Sequence, residues 1–139
     1  MIIAVDFDGT IVTHEYPAIG KEIPFAIDTL KRLQQEHHRL ILWTVREGAE
    51  LEAAVNFCKE RGLEFYAVNS DFPEDLPDIP QPRKLGVELF IDDRNLGGLP
   101  DWGIIYRMIS SGNPLSPISS DIQPEIKLQK KGLFSSFRK

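Results

Sequence analysis

Residues 1–12 read MIIAVDFDGTIV, and the fold turns on how this stretch is parsed. Ile2, Ile3, Ala4 and Val5 form an apolar run that reads as a buried strand, with a sharp turn at Gly9 and Thr10. Between strand and turn stand two aspartates, Asp6 and Asp8, around Phe7. Carboxylates at the end of a buried strand are costly unless something compensates them.

Working outward, Ile23, Ala26, Ile27, Leu30 and Leu33 recur at helical spacing, and this helix is expected to end near His37 and His38. Residues 40–44 (LILWT) read as a second buried strand. Leu51, Ala54, Val55 and Cys58 form one face of a second helix, with Gly62 as its C-terminal cap. Residues 65–68 are a third strand and 87–91 a fourth, running into Asp92 and Asp93, while Ile104–Tyr106 is read as a fifth. Residues 69–83 hold four prolines and four acids and read as an extended, semi-rigid loop.

Apolar strands alternating with amphipathic helices predict a three-layer α/β sandwich around a central parallel sheet. Ligands of such sheets bind beyond the carboxyl ends of the strands. Asp6, Asp8, Thr44, Asp92 and Asp93 are all expected there, so they converge on one crevice.

Like charges about 4 Å apart repel by roughly 4 kcal/mol at an effective dielectric of 20. A cluster of four carboxylates therefore calls for protonation or a divalent cation, and an all-oxygen donor set suits Mg²⁺. A calcium-binding helix–loop–helix is excluded by spacing, because Gly9 falls at the fourth position of the acidic run rather than the sixth. There is no Walker-type loop and no GxGxxG, so side chains must hold any phosphate.

DFDGT at 6–10 after an apolar strand, Thr44 closing the second strand, Lys84, and IDD at 91–93 together resemble the haloacid dehalogenase-like (HAD) superfamily over residues 1 to about 110. The resemblance implies a Rossmann-like fold and a Mg²⁺-dependent phosphatase. Asp6 would be the nucleophile that forms an aspartyl-phosphate, and Asp8 the general acid and base, with a carboxyl pKa well above the ordinary value. Asp6, the Asp8 backbone carbonyl and Asp92 would hold the metal, with Asp93 acting through water or by orienting Lys84. Thr44, Lys84 and backbone amides near Phe7 and Gly9 would bind the phosphoryl group, and Arg46 is a further substrate-binding candidate. Arg83 is an alternative to Lys84 as the site cation. Phosphoacceptor receiver domains use similar residues, but there the acidic pair comes first and the acceptor aspartate mid-chain.

The slots where this superfamily inserts a cap, residues 10–21 and 69–83, are far below the ~40 residues a self-supporting domain needs, so no cap domain is expected. An open site suits a large substrate or cover by a neighbouring subunit, which leaves a homo-oligomer open. Asp71, Glu74, Asp75 and Asp78 are expected near the mouth, where they disfavour nucleic acid and leave a small phosphorylated molecule as the expected substrate. His14, His37 and His38 do not read as ligands, and Trp43 reads as core.

The 139 residues, 42% hydrophobic and 27% charged, suit one globular domain. Residues 1–112 carry 11 basic and 19 acidic side chains, whereas residues 113–139 carry 5 and 2. The reading is therefore a catalytic domain over 1–112 and a basic tail over 113–139 that contains Pro and Ser. A lone Cys58, with no signal peptide or membrane span, points to the cytoplasm. The competing class is a module that binds Mg²⁺ and a phosphorylated ligand without turnover, or a phosphotransferase, with the tail as an interaction segment.

Overall fold

The computed structural model describes residues 1–75 and 84–116. Four short strands, Ile2–Val5 (β1), Arg39–Leu42 (β2), Ala67–Val68 (β3) and Leu89–Ile91 (β4), form one sheet in the order β3-β2-β1-β4. Every neighbouring pair is parallel, with Val5 opposite both Leu42 and Ile91. The chain thus leaves β1 to build the sheet in one direction and returns with β4 on the other side. The strand order switches at β1, immediately before Asp6.

Three helices complete the fold: Ala26–Gln35 (α1), Gly48–Glu60 (α2) and Trp102–Ser110 (α3). Strand alternation divides the core in two. Ile3, Val5, Leu40, Leu42 and Ile91 pack with Leu30 and Leu33 of α1, Ala54 and Cys58 of α2, and Trp102, Ile105 and Ile109 of α3. Ala4, Ile41 and Ala67 point to the other face, where they meet Leu85 and the half-buried Val87 and Phe90. The result is a Rossmann-like α/β sandwich with no inserted cap domain among the described residues. On the second face the described covering layer, residues 84–88, is extended chain rather than helix.

The first two helices stop where the apolar spacing predicts. Gly62, at φ 77°, donates its amide to Lys59 while Leu63 donates to Cys58, a paired C-terminal cap that needs a left-handed residue. His37 takes the same place after α1, at φ 67°, with His37 bonded to Gln34 and His38 to Leu33. The expected fifth strand at 104–106 is instead the middle of α3. Asp101 caps this helix by accepting from the Gly103 amide at 2.8 Å, and Trp102, Ile105 and Ile109 share its buried face at helical spacing. A short apolar run is ambiguous between strand and helix, and here the cap decides it.

Strands 65–68 and 87–91 are shorter than expected, at Ala67–Val68 and Leu89–Ile91. Most of the 113–139 tail lies outside the described residues, as do Asp78 and Arg83. No helix among the described residues is long and apolar enough to cross a membrane.

Candidate active site

The ends of β1, β2 and β4 open onto one cleft of about 590 Å³, lined by Asp6, Asp8, Thr44 and Asp92 together with His14, Tyr16, Trp43, Val45, Glu47 and Arg94. The ladder runs one residue past β1, since the Asp6 amide donates to the Ile91 carbonyl at 3.0 Å. Asp6 is thereby fixed beside the start of the Asp92–Asp93 turn. Carboxylate oxygens of Asp6, Asp92 and Asp93 lie within 4.8 Å of one another.

The turn after Asp6 is tight because the Phe7 carbonyl accepts from the amides of Ile11 (2.9 Å) and Val12 (3.2 Å). Gly9 sits at φ 84°, and a Cβ there would collide with the Asp93 carboxylate. Glycine is required on both counts. Its amide donates to Val12 at 2.7 Å, so Gly9 seats Asp93 instead of offering a free donor to a phosphate, as was expected. The Phe7 ring is fully buried, in edge contact with Phe57, and only its backbone amide faces the site, bonded to Asp6.

Thr10 carries a role that the sequence reading left unassigned. Its buried hydroxyl donates to Asp6 at 3.4 Å and accepts from the Asp93 amide at 3.1 Å, while its carbonyl accepts from Trp102 Nε1 at 3.2 Å. One side chain thus spaces the two acidic loops and anchors them to α3. The signal for it was its place directly after DFDG.

Burial raises the Asp6 pKa from its ordinary value to about 6, the Phe7 amide opposes this, the charges of Asp92 and Asp93 raise it further, and the Thr10 hydrogen bond lowers it. Asp93 Oδ1 is buried and has no hydrogen-bond partner among the described residues. A buried carboxylate oxygen left without a donor, in a group of three acids, fits a cation-binding position.

Asp8 is arranged differently from expectation. In place of anionic neighbours it has Arg46, whose Nε and Nη2 bond its two oxygens at 2.7 Å each. Asp8 does not belong to the acidic trio; its carboxylate turns away into the protein. Arg46 is fully buried, so it is not a substrate-facing group, and its remaining donors reach the carbonyls of Pro17 (3.0 Å) and Ala18 (2.8 Å). Sequence alone gave no means of pairing residues 38 positions apart.

Thr44 lies in the cleft as expected. Its amide donates to Asn69 Oδ1 at 2.8 Å and its hydroxyl oxygen accepts from the Arg46 amide at 3.2 Å, which leaves the hydroxyl hydrogen free to donate. Asn69 follows β3 at φ 52°, so β3 also contributes to the site. Lys84 does not line the cleft. It is exposed, with its ammonium 5.7 Å from the centre of the Phe90 ring on the second face of the sheet. The cations that line the cleft are Arg94 and, when protonated, His14, whose Nε2 is 3.3 Å from Arg94 Nη2. Asp71, Glu74 and Asp75 are not part of its lining.

Comparison with protein-family profiles and with curated proteins gives no match. Among solved structures, a conserved protein coded by a locus from Bacteroides thetaiotaomicron is 65% identical, with a TM-score of 0.76. The match covers 81% of this chain and 92% of that one. The chain belongs to the family of that conserved protein. The shared fold carries the switch point at β1, and with it the position of the cleft.

Proposed function

We propose that the chain is a Mg²⁺-dependent phosphatase that hydrolyses a small phosphomonoester through an aspartyl-phosphate on Asp6, as the resemblance to the HAD superfamily implies. The observation that carries this reading is the acidic trio of Asp6, Asp92 and Asp93 with the orphaned Asp93 Oδ1, of which Asp6 and Asp92 line the same cleft as Thr44. Asp6, Asp92 and Asp93 would hold the ion, which supplies charge neutralisation of phosphoryl oxygens when bound. The Asp6 carboxylate attacks phosphorus, and the P–O bond to the leaving group breaks with its electron pair going to that oxygen. For this step Asp8 leaves Arg46 and takes up a proton from solvent, gives it to the leaving oxygen, and regains one from the water that attacks phosphorus and frees the Asp6 carboxylate.

Thr44 donates its hydroxyl to the phosphoryl group, and Arg94 takes the cationic place expected of Lys84. The few cations around the cleft and the acidic lining of Asp6, Asp8, Glu47 and Asp92 favour a small ligand over a polyanion. We place the enzyme in the cytoplasm, where the buried thiol of Cys58, raised to about 12 by desolvation, stays reduced.

One observation favours the second reading, a binder of Mg²⁺ and phosphorylated ligands without turnover: both oxygens of Asp8 are held by Arg46. Phosphate release from phenyl phosphate, with and without Mg²⁺, separates the two. The phosphatase requires Mg²⁺-dependent release that vanishes in Asp6→Asn and falls about 10²- to 10⁴-fold in Asp8→Asn. Mg²⁺ binding without release above the Asp6→Asn background would select the binder.

A further inference from the structure

Residues 13–21 form a loop that projects His14 and Tyr16 into the cleft lining. Its base is closed by the Thr13 amide on the Lys21 carbonyl (2.8 Å) and by the Lys21 amide on the Thr13 hydroxyl (2.9 Å). Gly20 is packed so closely on Thr13 that a Cβ would overlap the Thr13 carbonyl. The far part of the loop has a different anchor. The carbonyls of Pro17 and Ala18 both accept from Arg46, and the guanidinium carbon lies 5.1 Å from the centre of the Tyr16 ring. The same guanidinium holds both oxygens of Asp8 and lies 5.1 Å from the centre of the Phe7 ring.

Arg46 comes from the segment between β2 and α2, directly after the cleft residues Thr44 and Val45. Three separate parts of the chain therefore meet on one buried, planar cation: the turn after β1, the loop 13–21 and the turn after β2. Each of its three nitrogens is used, which a lysine could not reproduce, since an ammonium is a point charge without the fork that fits a carboxylate. Networks of this kind couple their members, so displacing one contact weakens the others.

We propose that Arg46 is a positioning residue that makes the placement of Asp8 and the placement of the Tyr16 wall a single conformational variable. Substrate whose leaving group presses on that wall loosens the grip on Asp8, and Asp8 turning to the leaving oxygen releases the wall. Selection of the leaving group and delivery of the proton are thus coupled through one guanidinium. This rests on the phosphatase reading for its catalytic part, and on geometry alone for the coupling between Asp8 and the loop.

The test uses the full chain and its variants Arg46→Lys, Asp8→Asn and the double variant. Amide hydrogen exchange of residues 13–20 is followed first, without substrate. Asp8→Asn places an amide nitrogen against the guanidinium, and exchange in the loop is expected to rise about tenfold, as it is in Arg46→Lys. A folded Asp8→Asn protein whose loop exchanges as in the parent chain overturns the coupling, even where Arg46→Lys fails to fold. Kinetics then compare phenyl phosphate with the bulkier 4-methylumbelliferyl phosphate. Arg46→Lys should lower kcat about 10- to 100-fold on both and change the ratio of their KM values at least threefold. Its effect on kcat should be absent on the Asp8→Asn background, because Arg46 acts on the reaction through Asp8. Multiplicative losses, or an unchanged KM ratio, overturn the proposal. If the parent chain releases no phosphate, the phosphatase reading fails separately, and the exchange result alone decides the coupling.

Discussion

Two groups of carboxylate follow the ends of β1 and β4 and are treated in opposite ways. Asp8 is satisfied: it is 6% exposed, both oxygens are paired at 2.7 Å, and its partner is a cation whose other donors are also used. Asp6, Asp92 and Asp93 are crowded within 4.8 Å, and Asp93 Oδ1 is buried without a donor among the described residues. Among the described residues, the protein supplies its own counter-charge to one group and none of comparable closeness to the other. On the proposed reading, the charge met internally at Asp8 fixes the surrounding loops until a leaving group arrives, and the buried oxygen of Asp93 left without a donor helps to take a cation.

The comparison breaks most severely at Arg46. Replacing it by Met leaves Asp8 buried beside no cation, a change that costs about 3–5 kcal/mol in comparable buried pairs. Urea denaturation of Arg46→Met should show a loss of that size, and Asp8→Asn on the same background should recover a large part of it. A loss below about 1 kcal/mol would mean that water reaches Asp8 and that the pair is not the anchor its geometry indicates.

The trio should respond to an added ion where Asp8 does not. Mg²⁺ at a hundredfold excess over its dissociation constant stabilises a folded state that alone binds it by about 2.7 kcal/mol. The melting temperature of the parent chain should rise accordingly with Mg²⁺, and the rise should be lost in Asp93→Asn. Retention of the full shift in that variant would place the ion elsewhere.

These two behaviours were unequally legible in the sequence. The trio could be read because each acid follows an apolar strand, and parallel strands bring their carboxyl ends to one edge whatever the details of packing. Arg46 could not, since its role depends on two carbonyls of a loop whose path no local pattern dictates. The place of Lys84 outside the cleft lining was illegible for a related reason: it depends on where the chain re-enters beside the second face of the sheet, and the prolines of 69–83 specify extended chain without specifying direction. Ile104–Tyr106 was misread because three apolar residues satisfy either period, although Asp101 carried the capping signal that resolves them. Thr10 was visible in DFDGT, but its two hydrogen bonds join loops that only the sheet order brings together.

A smaller effect tests Asp6 through pH. The Asp6 carboxyl, raised to about 6 chiefly by burial, binds its proton more tightly in the folded chain than in the unfolded one. Its contribution to stability is therefore fully present below about pH 4 and is lost as pH rises through 6. In metal-free buffer, Asp6→Asn should melt a few degrees above the parent chain at pH 7.5, and the two should converge as pH falls towards 4. The opposite slope would show that Asp6 is held ionised by a partner.

The least effect is expected at Lys84, where the alanine variant sharpens the contrast by what it leaves alone. An exposed ammonium 5.7 Å from the centre of the Phe90 ring contributes at most a weak cation–π contact, so stability should stay within about 0.5 kcal/mol. Phosphate release should likewise be unchanged, whereas Arg94→Ala, which removes a cation from the cleft lining, should raise KM. The pair of variants compares two cations that the sequence alone cannot rank: one stands on the second face of the sheet and the other beside the acids. A Lys84→Ala protein with strongly reduced phosphate release would mean that the 84–88 segment swings to the cleft when substrate binds. The phosphoryl group would then be met by charge that arrives only with the ligand.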